Sequence, residues 1–261
     1  TLTPRPQAGN PRPRIFRLAR DEAVINRLGF NNGGLEAALP RLAPHGRLGV
    51  NVGANKDSAD RIADYATGVR AVRDTAAWIT LNISSPNTPG LRGLQGDALP
   101  ELLAAAAEAR GPGGPPLFLK VAPDLDAEQI DAITAAALDS RLAGLIISNT
   151  TIARPPGLTG PHAAETGGLS GEPLFHPSTE ILRQFARRLD GRLPLIGVGG
   201  ISSAEQAYAK IRAGASAVQL YTGMIYKGPG LARQIAAGLS ILLRRDGFRS
   251  VAEAVGTDLR K

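Results

Sequence analysis

The chain contains no cysteine. That excludes disulfides, thiolate metal sites and a cysteine nucleophile, and it fits a reducing compartment. Aromatic residues are also scarce, at 4% of 261 residues with a single tryptophan, so Ala, Leu, Ile and Val must fill most of the core. No uninterrupted apolar run reaches the roughly 18 residues that span a bilayer, and no signal-peptide pattern is present. Acidic residues are in deficit: 30 Lys+Arg stand against 23 Asp+Glu, a net charge of +7. A solvated basic surface is one reading of that excess; attraction to anionic lipid or an anionic substrate is the other. Nucleic acid is the weakest partner, because the basic residues are scattered and no binding motif or aromatic-rich basic stripe appears.

What is present is an alternation. Six short apolar runs read as strands: 48–52, 78–83, 117–121, 144–148, 195–198 and 217–221. They are continuous, as expected of strands buried on both faces. Helical stripes fall between them. Ile62, Ala66, Val69 and Val72 form one, and Leu99, Leu102, Leu103 and Ala106 another. Asp126-x-x-Gln129 and Ser202-x-x-Glu205 resemble capping boxes, Ser178 precedes Ile181, Leu182 and Phe185, and Gly214 is placed to end a helix. Leu231, Ile235, Leu239 and Leu242 mark a long helix, and a short one is expected from about Val251. Residues 153–176, rich in Gly and Pro, read as a loop-like insertion. No linker divides the chain, so residues 1–261 are expected to form a single domain.

Strands alternating with helices imply a parallel sheet with right-handed crossovers. An open sheet can hold six strands, but it concentrates its site at one switch point. Here polar residues stand at nearly every strand end: Asn51, Asn82, Lys120, Ser148, Asn149 and Thr150. That pattern favours an α/β fold of the parallel (β/α)8 TIM-barrel type, whose sites gather at the C-terminal ends of the strands. Eight strands would require two more before Thr1, so an N-terminally truncated chain is expected.

The chemistry is read from these ends. Asn is a poor strand former, so three of them with a lysine suit a planar, hydrogen-bonding, anionic heterocycle. Lys120 has three readings: a lysine reaching to solvent at the rim, a cation beside the pyrimidine edge of a flavin, or a Schiff-base lysine. Two glycine-rich segments, 166–171 and 197–201, offer backbone N–H groups to an anion. With two strands absent, the Gly199-Gly200 loop follows strand seven and Tyr221-Thr222-Gly223 follows strand eight, where barrels often bind phosphate. No metal site is expected.

One segment is more specific. Asn82-Ile83-Ser84-Ser85-Pro86-Asn87-Thr88-Pro89-Gly90-Leu91-Arg92 resembles the catalytic loop of the dihydroorotate dehydrogenases. Ile25-Asn26-Arg27-Leu28-Gly29-Phe30-Asn31-Asn32, Ser148-Asn149-Thr150-Thr151, Gly167-Gly168-Leu169-Ser170-Gly171 and Ile196-Gly197-Val198-Gly199-Gly200-Ile201 resemble further motifs of that family, in its order and over essentially the whole chain. Serine at position 85 matches the membrane-associated, quinone-linked class; the soluble classes carry cysteine there. The resemblance implies oxidation of dihydroorotate to orotate in pyrimidine biosynthesis, with FMN taking the hydride and a quinone as final acceptor. Ser85 resembles the base. Serine is a poor base and needs a relay, and Thr88 and Phe30 match positions that shape one.

By the same resemblance Asn26, Arg27, Leu28, Gly29, Phe30, Asn82, Asn87, Asn149 and Thr150 contact substrate. Thr1, Asn51, Asn82, Lys120, Ser148, Gly171, Gly200, Tyr221 and Thr222 contact FMN, with Lys120 by N1 and O2 of the ring. Many relatives have threonine in place of Ser148, which keeps the hydroxyl. Arg17 resembles an arginine of the quinone tunnel. The family's membrane-docking N-terminal helices and an upstream lysine loop are not in the 261 residues. Peripheral association with the cytoplasmic face of a bacterial inner membrane is implied through that region; mitochondrial members share the motifs. The chain alone is expected neither to fold to full stability nor to turn over. Competing expectations are a soluble-type dihydroorotate or dihydropyrimidine dehydrogenase, a lyase using Lys120, and a non-catalytic barrel.

Overall fold

The computed structural model describes residues 1–42, 47–88 and 90–259. Pro89 of the 82–92 motif lies outside the described residues. In chain order the elements begin with β1 (Ile15–Leu18), β2 (Ala23–Asn26), α1 (Gly34–Ala38), β3 (Gly49–Val52), α2 (Arg61–Val72) and β4 (Trp78–Asn82). They continue with α3 (Leu99–Arg110), β5 (Leu117–Val121), α4 (Ala127–Asp139), β6 (Gly144–Ile147), β7 (Gly168–Gly171) and α5 (Phe175–Leu189). The chain closes with β8 (Leu195–Val198), α6 (Ala204–Arg212), β9 (Ala217–Gln219), α7 (Thr222–Lys227), α8 (Leu231–Arg245) and α9 (Val251–Ala254).

All six apolar runs form strands, in the parallel sheet order β3-β4-β5-β6-β8-β9. Their ends are shorter than expected: Leu48, Ile83, Ser148, Leu220 and Tyr221 fall outside the ladder. Burial on both faces holds for β6 and nearly for β4, whereas β3, β5 and β8 leave one face partly open. In β3 and β5 that open face carries Asn51, Phe118 and Lys120.

The chain divides into two compact units. The first comprises Thr1–Arg14, Arg27–Val121 and Ala127–Leu145. Here α2 and α3 pack together, and Val52, Tyr65, Val69, Val72, Ile79, Leu81, Leu102 and Leu119 are fully buried. Asp60 starts α2 by accepting the Ala63 N–H at 2.9 Å, which satisfies one of the helix's orphan donors. In-register pairing sets Asn51 opposite Thr80 and Asn82 opposite Lys120. Side chains alternate along a strand, so these four share one face.

The second unit comprises Ile15–Asn26, Ala122–Asp126 and Ile146–Lys261. It contains a three-stranded antiparallel sheet, β1-β2-β7, that periodicity does not reveal. Gly168–Gly171 is therefore a strand, not a loop, paired so that Asn26 faces Gly168 and Ala23 faces Gly171. Phe16, Leu18, Ala23, Ile25 and Leu169 form its apolar cluster. The expected insertion over 153–176 thus contains β7, a 3-10 turn at Glu172–Leu174 and the start of α5. Ser178 lies one turn inside α5 rather than before it, its hydroxyl 2.6 Å from the Leu174 carbonyl. Ser203, not Ser202, caps α6 by accepting the Gln206 N–H; the Ser202 hydroxyl is instead bound to Glu172 and Gln206. Among the described residues no helix is long and apolar enough to cross a membrane, and no cluster of His, Asp or Glu could hold a metal ion.

Candidate active site

In the first unit the polar groups are arranged around the end of β4. Tyr65 of α2, fully buried, donates its phenol to the Asn82 carbonyl at 2.6 Å. Burial holds the Tyr65 phenol neutral far above its usual range. The Asn82 amide donates to the Thr1 hydroxyl at 3.1 Å, and Thr1 donates to Asn51 Oδ1 at 2.6 Å. Ser84 donates to Asn82 Oδ1 at 3.0 Å, and Arg92 grips the Ser84 carbonyl at 3.2 Å. Asn82 is thereby held from both its backbone and its side chain.

Two hydroxyls follow. Ser85 is 5% exposed and accepts the Asn87 N–H at 3.3 Å. Thr88 is 3% exposed, and its buried hydroxyl has no hydrogen-bond partner among the described residues. A buried hydroxyl left unmatched is costly, and such a group calls for a ligand, a water or a proton-transfer partner.

The 27–30 segment is tied to the same loop. The Asn10 amide donates to the carbonyls of Arg27 at 3.0 Å and Asn87 at 3.2 Å. Gln7 binds the Gly29 carbonyl at 2.8 Å, and the Leu28 carbonyl accepts the Asn10 N–H at 3.0 Å. Phe30 adopts φ +55, uncommon for a bulky residue. Its carbonyl is held by Asn32 at 2.7 Å, and its ring lies over Gly53, where a Cβ would come within 3.0 Å.

Lys120 stands beside Asn82 in register. Its ammonium has no hydrogen-bond or ion-pair partner among the described residues, and burial holds its pKa down to about 8. A desolvated cation without a carboxylate partner favours an anionic ligand. The lysine, the Thr1–Asn51–Asn82 chain and the two hydroxyls suit a planar ring with acceptor oxygens and a partial negative charge.

The second unit holds the other expected contacts. Asn26 ends β2, its amide 3.5 Å from the Gly168 carbonyl. Ser148 follows a cis Ile147–Ser148 peptide, takes the Val198 carbonyl through its N–H at 3.2 Å, and donates its hydroxyl to the Asn149 carbonyl at 3.1 Å. Asn149 Oδ1 accepts the Thr150 N–H at 2.8 Å. Gly171 has φ +98, and a Cβ there would meet the Glu22 carbonyl at 2.2 Å. Gly200 has φ +71, and a Cβ would sit 2.4 Å from the Phe175 nitrogen. Neither position tolerates a side chain. Thr222, first residue of α7, lies with its hydroxyl 2.9 Å from that of Ser170, while Tyr221 is 77% exposed. Arg17 is exposed on β1.

The geometry is matched by kinship. The family model described as dihydroorotate dehydrogenase matches residues 1–243. The chain belongs to the dihydroorotate dehydrogenase family. A relative named dihydroorotate dehydrogenase (quinone), from Sphingopyxis alaskensis, is 58% identical over 98% of this chain and 74% of its own length. One of the same name from Brucella ovis is 56% identical over 100% of this chain and 75% of its own. The crystal structure of the Eimeria tenella enzyme in complex with ferulenol superposes with a TM-score of 0.96 at 42% identity, covering 100% of this chain and 78% of that one. Membership implies a TIM-barrel fold and a flavin cofactor, and the quinone-class relatives favour neither the soluble-type nor the Schiff-base alternative.

Sequence reasoning missed Tyr65, Asn10 and Gln7. Each acts on backbone carbonyls, which leaves no pattern along the chain. Tyr65 alone left a trace, as an aromatic beside the apolar stripe of α2.

Proposed function

We propose that this protein oxidises dihydroorotate to orotate, with FMN as the bound hydride acceptor and a quinone as the final electron acceptor. The observation that carries this reading is the pair of buried hydroxyls, Ser85 and Thr88, on a loop whose neighbour in the sheet is an unpaired lysine. Ser85 removes the proton from C5 of the substrate, and the unmatched Thr88 hydroxyl carries it onward. Bound FMN supplies a two-electron acceptor for the hydride leaving C6. Lys120 would hold the pyrimidine edge of the ring and supply a positive charge there, which its burial makes favourable to a nearby negative charge. Asn51, Asn82, Thr1 and Ser148 would hold the ring.

Asn26, Asn82, Asn87, Asn149 and Thr150, with the 27–30 segment, orient the substrate ring and carboxylate. Phe30 packs at the relay and keeps bulk water from the reacting carbons. Backbone N–H groups near Gly171, Gly200 and Thr222 take the phosphate. The quinone implies a membrane-soluble second substrate and peripheral membrane association, on the cytoplasmic face of a bacterial inner membrane. The excess of basic residues suits an anionic lipid surface.

The test is a visible spectrum of the purified full-length protein, followed by anaerobic dihydroorotate. Flavin bands that bleach on addition, and return with a quinone but not with fumarate or a nicotinamide, support the reading. A colourless protein, or bands indifferent to dihydroorotate, overturn it.

A further inference from the structure

Lys210 lies on α6 and is fully buried, 0% exposed. No carboxylate pairs with it among the described residues; its ammonium is 2.5 Å from the Ser178 hydroxyl, 3.5 Å from the Val198 carbonyl and 5.4 Å from the centre of the Phe175 ring. A buried ammonium without a counter-charge is among the costlier features a fold can carry. The contacts it does make point to one place. Ser178 is 3.2 Å from the Gly199 carbonyl, so both carbonyls of the 198–199 turn face the Lys210–Ser178 pair.

A trans peptide directs its N–H opposite to its carbonyl. Val198 shares its peptide unit with the Gly199 N–H, and Gly199 shares its own with the Gly200 N–H. With these two carbonyls toward the Lys210–Ser178 pair, and that of Val198 also taken by the Ser148 N–H, the two N–H groups turn away from Lys210. The Gly200 N–H finds no acceptor among the described residues, although Gly200 is buried. Unpaired buried N–H groups are rare in folded proteins, and successive ones at positive φ make an anion nest. Gly199 and Gly200 have φ +110 and +71. The glycines also let the turn rest directly on its support: a Cβ on Gly199 would come within 2.7 Å of Ser178 Oγ.

We propose that Lys210 is a positioning residue for the cofactor's phosphate: from behind the Gly199-Gly200 turn it fixes the two N–H groups and supplies the positive charge that the phosphate neutralises. The inference rests on the proposed flavin reading and adds to it a residue that never touches the ligand. Burial first, and Arg183 second, hold the Lys210 pKa down to about 7.

The experiment compares the full-length protein with Lys210→Met, Lys210→Arg and Ser178→Ala, stripped of flavin and titrated with FMN and with riboflavin, which lacks the phosphate. For Lys210→Met the FMN affinity falls about ten- to a hundredfold, as loss of a nearby charge implies, while riboflavin affinity stays within about twofold. Lys210→Arg keeps most of the FMN preference. Ser178→Ala, a small change that preserves folding if Lys210→Met does not, loses part of it, about three- to tenfold. Equal losses for FMN and riboflavin, or an unchanged preference in both the Met and Ala variants, overturn the inference by making Lys210 merely structural. A parent protein that binds neither flavin overturns the functional reading itself, and the inference with it.

Discussion

The 82–88 loop of the first unit and the 198–200 turn of the second solve opposite problems. The first presents side chains: the Ser85 and Thr88 hydroxyls are buried, and that of Thr88 has no hydrogen-bond partner among the described residues. The second presents only backbone, and its glycines act by having no side chain at all. Support differs in the same sense. Tyr65, Asn10 and Arg92 hold the carbonyls of Asn82, Asn87 and Ser84, which fixes the loop that carries these side chains. Lys210 and Ser178 face carbonyls so that N–H groups turn outward. In both places a buried polar side chain aims a loop through its backbone.

The sharpest way to break the comparison is Ser85→Ala. If Ser85 is the base, the turnover number falls about 10²- to 10⁴-fold, while the flavin spectrum and content stay as in the parent. A variant that keeps its rate, or loses its flavin, would remove the distinction between a reacting loop and a binding turn. Next comes Gly200→Ala, where both the φ of +71 and the 2.4 Å approach of Phe175 forbid a methyl group. Strain of about 1–3 kcal/mol is expected, seen as a lowered melting temperature and weaker FMN retention. Gly93→Ala is the control, since nothing lies within 4 Å of that position and its φ is not in the left-handed range.

The smallest effect is expected for Thr88→Val, which keeps the shape and deletes only the hydroxyl. Because that hydroxyl has no partner, chemical denaturation should show stability unchanged or slightly raised. Single-turnover reduction by dihydroorotate should slow about three- to tenfold. A destabilised variant with normal reduction would mean that Thr88 is a packing residue and no relay.

Much of this architecture was legible along the chain. Strands β3, β4, β5, β6, β8 and β9 announce themselves as short apolar runs set between helical stripes, although only β6 and nearly β4 are covered on both faces. The 82–92 motif is legible because reacting side chains must be particular residues. The sheet β1-β2-β7 is not. Its strands have four residues each, and Gly-Leu-Ser-Gly has little strand propensity; pairing Asn26 with Gly168, distant in sequence, makes it a strand. The one-residue slip from Ser202 to Ser203 at α6 has a similar cause. Either serine can cap, and the choice follows from Glu172 and Gln206 occupying Ser202.

The sequence by itself determined the order of the six parallel strands and the helices between them, and the family, because each depends on local periodicity or on residue motifs. Only the tertiary structure decided which polar groups are left unmatched. Nothing in Ala-Tyr-Ala-Lys-Ile-Arg distinguishes Lys210 from an exposed helix lysine, and nothing in Pro-Asn-Thr shows that the Thr88 hydroxyl lacks a partner. Burial and hydrogen bonding are properties of what surrounds a residue, and those surroundings come from distant parts of the chain.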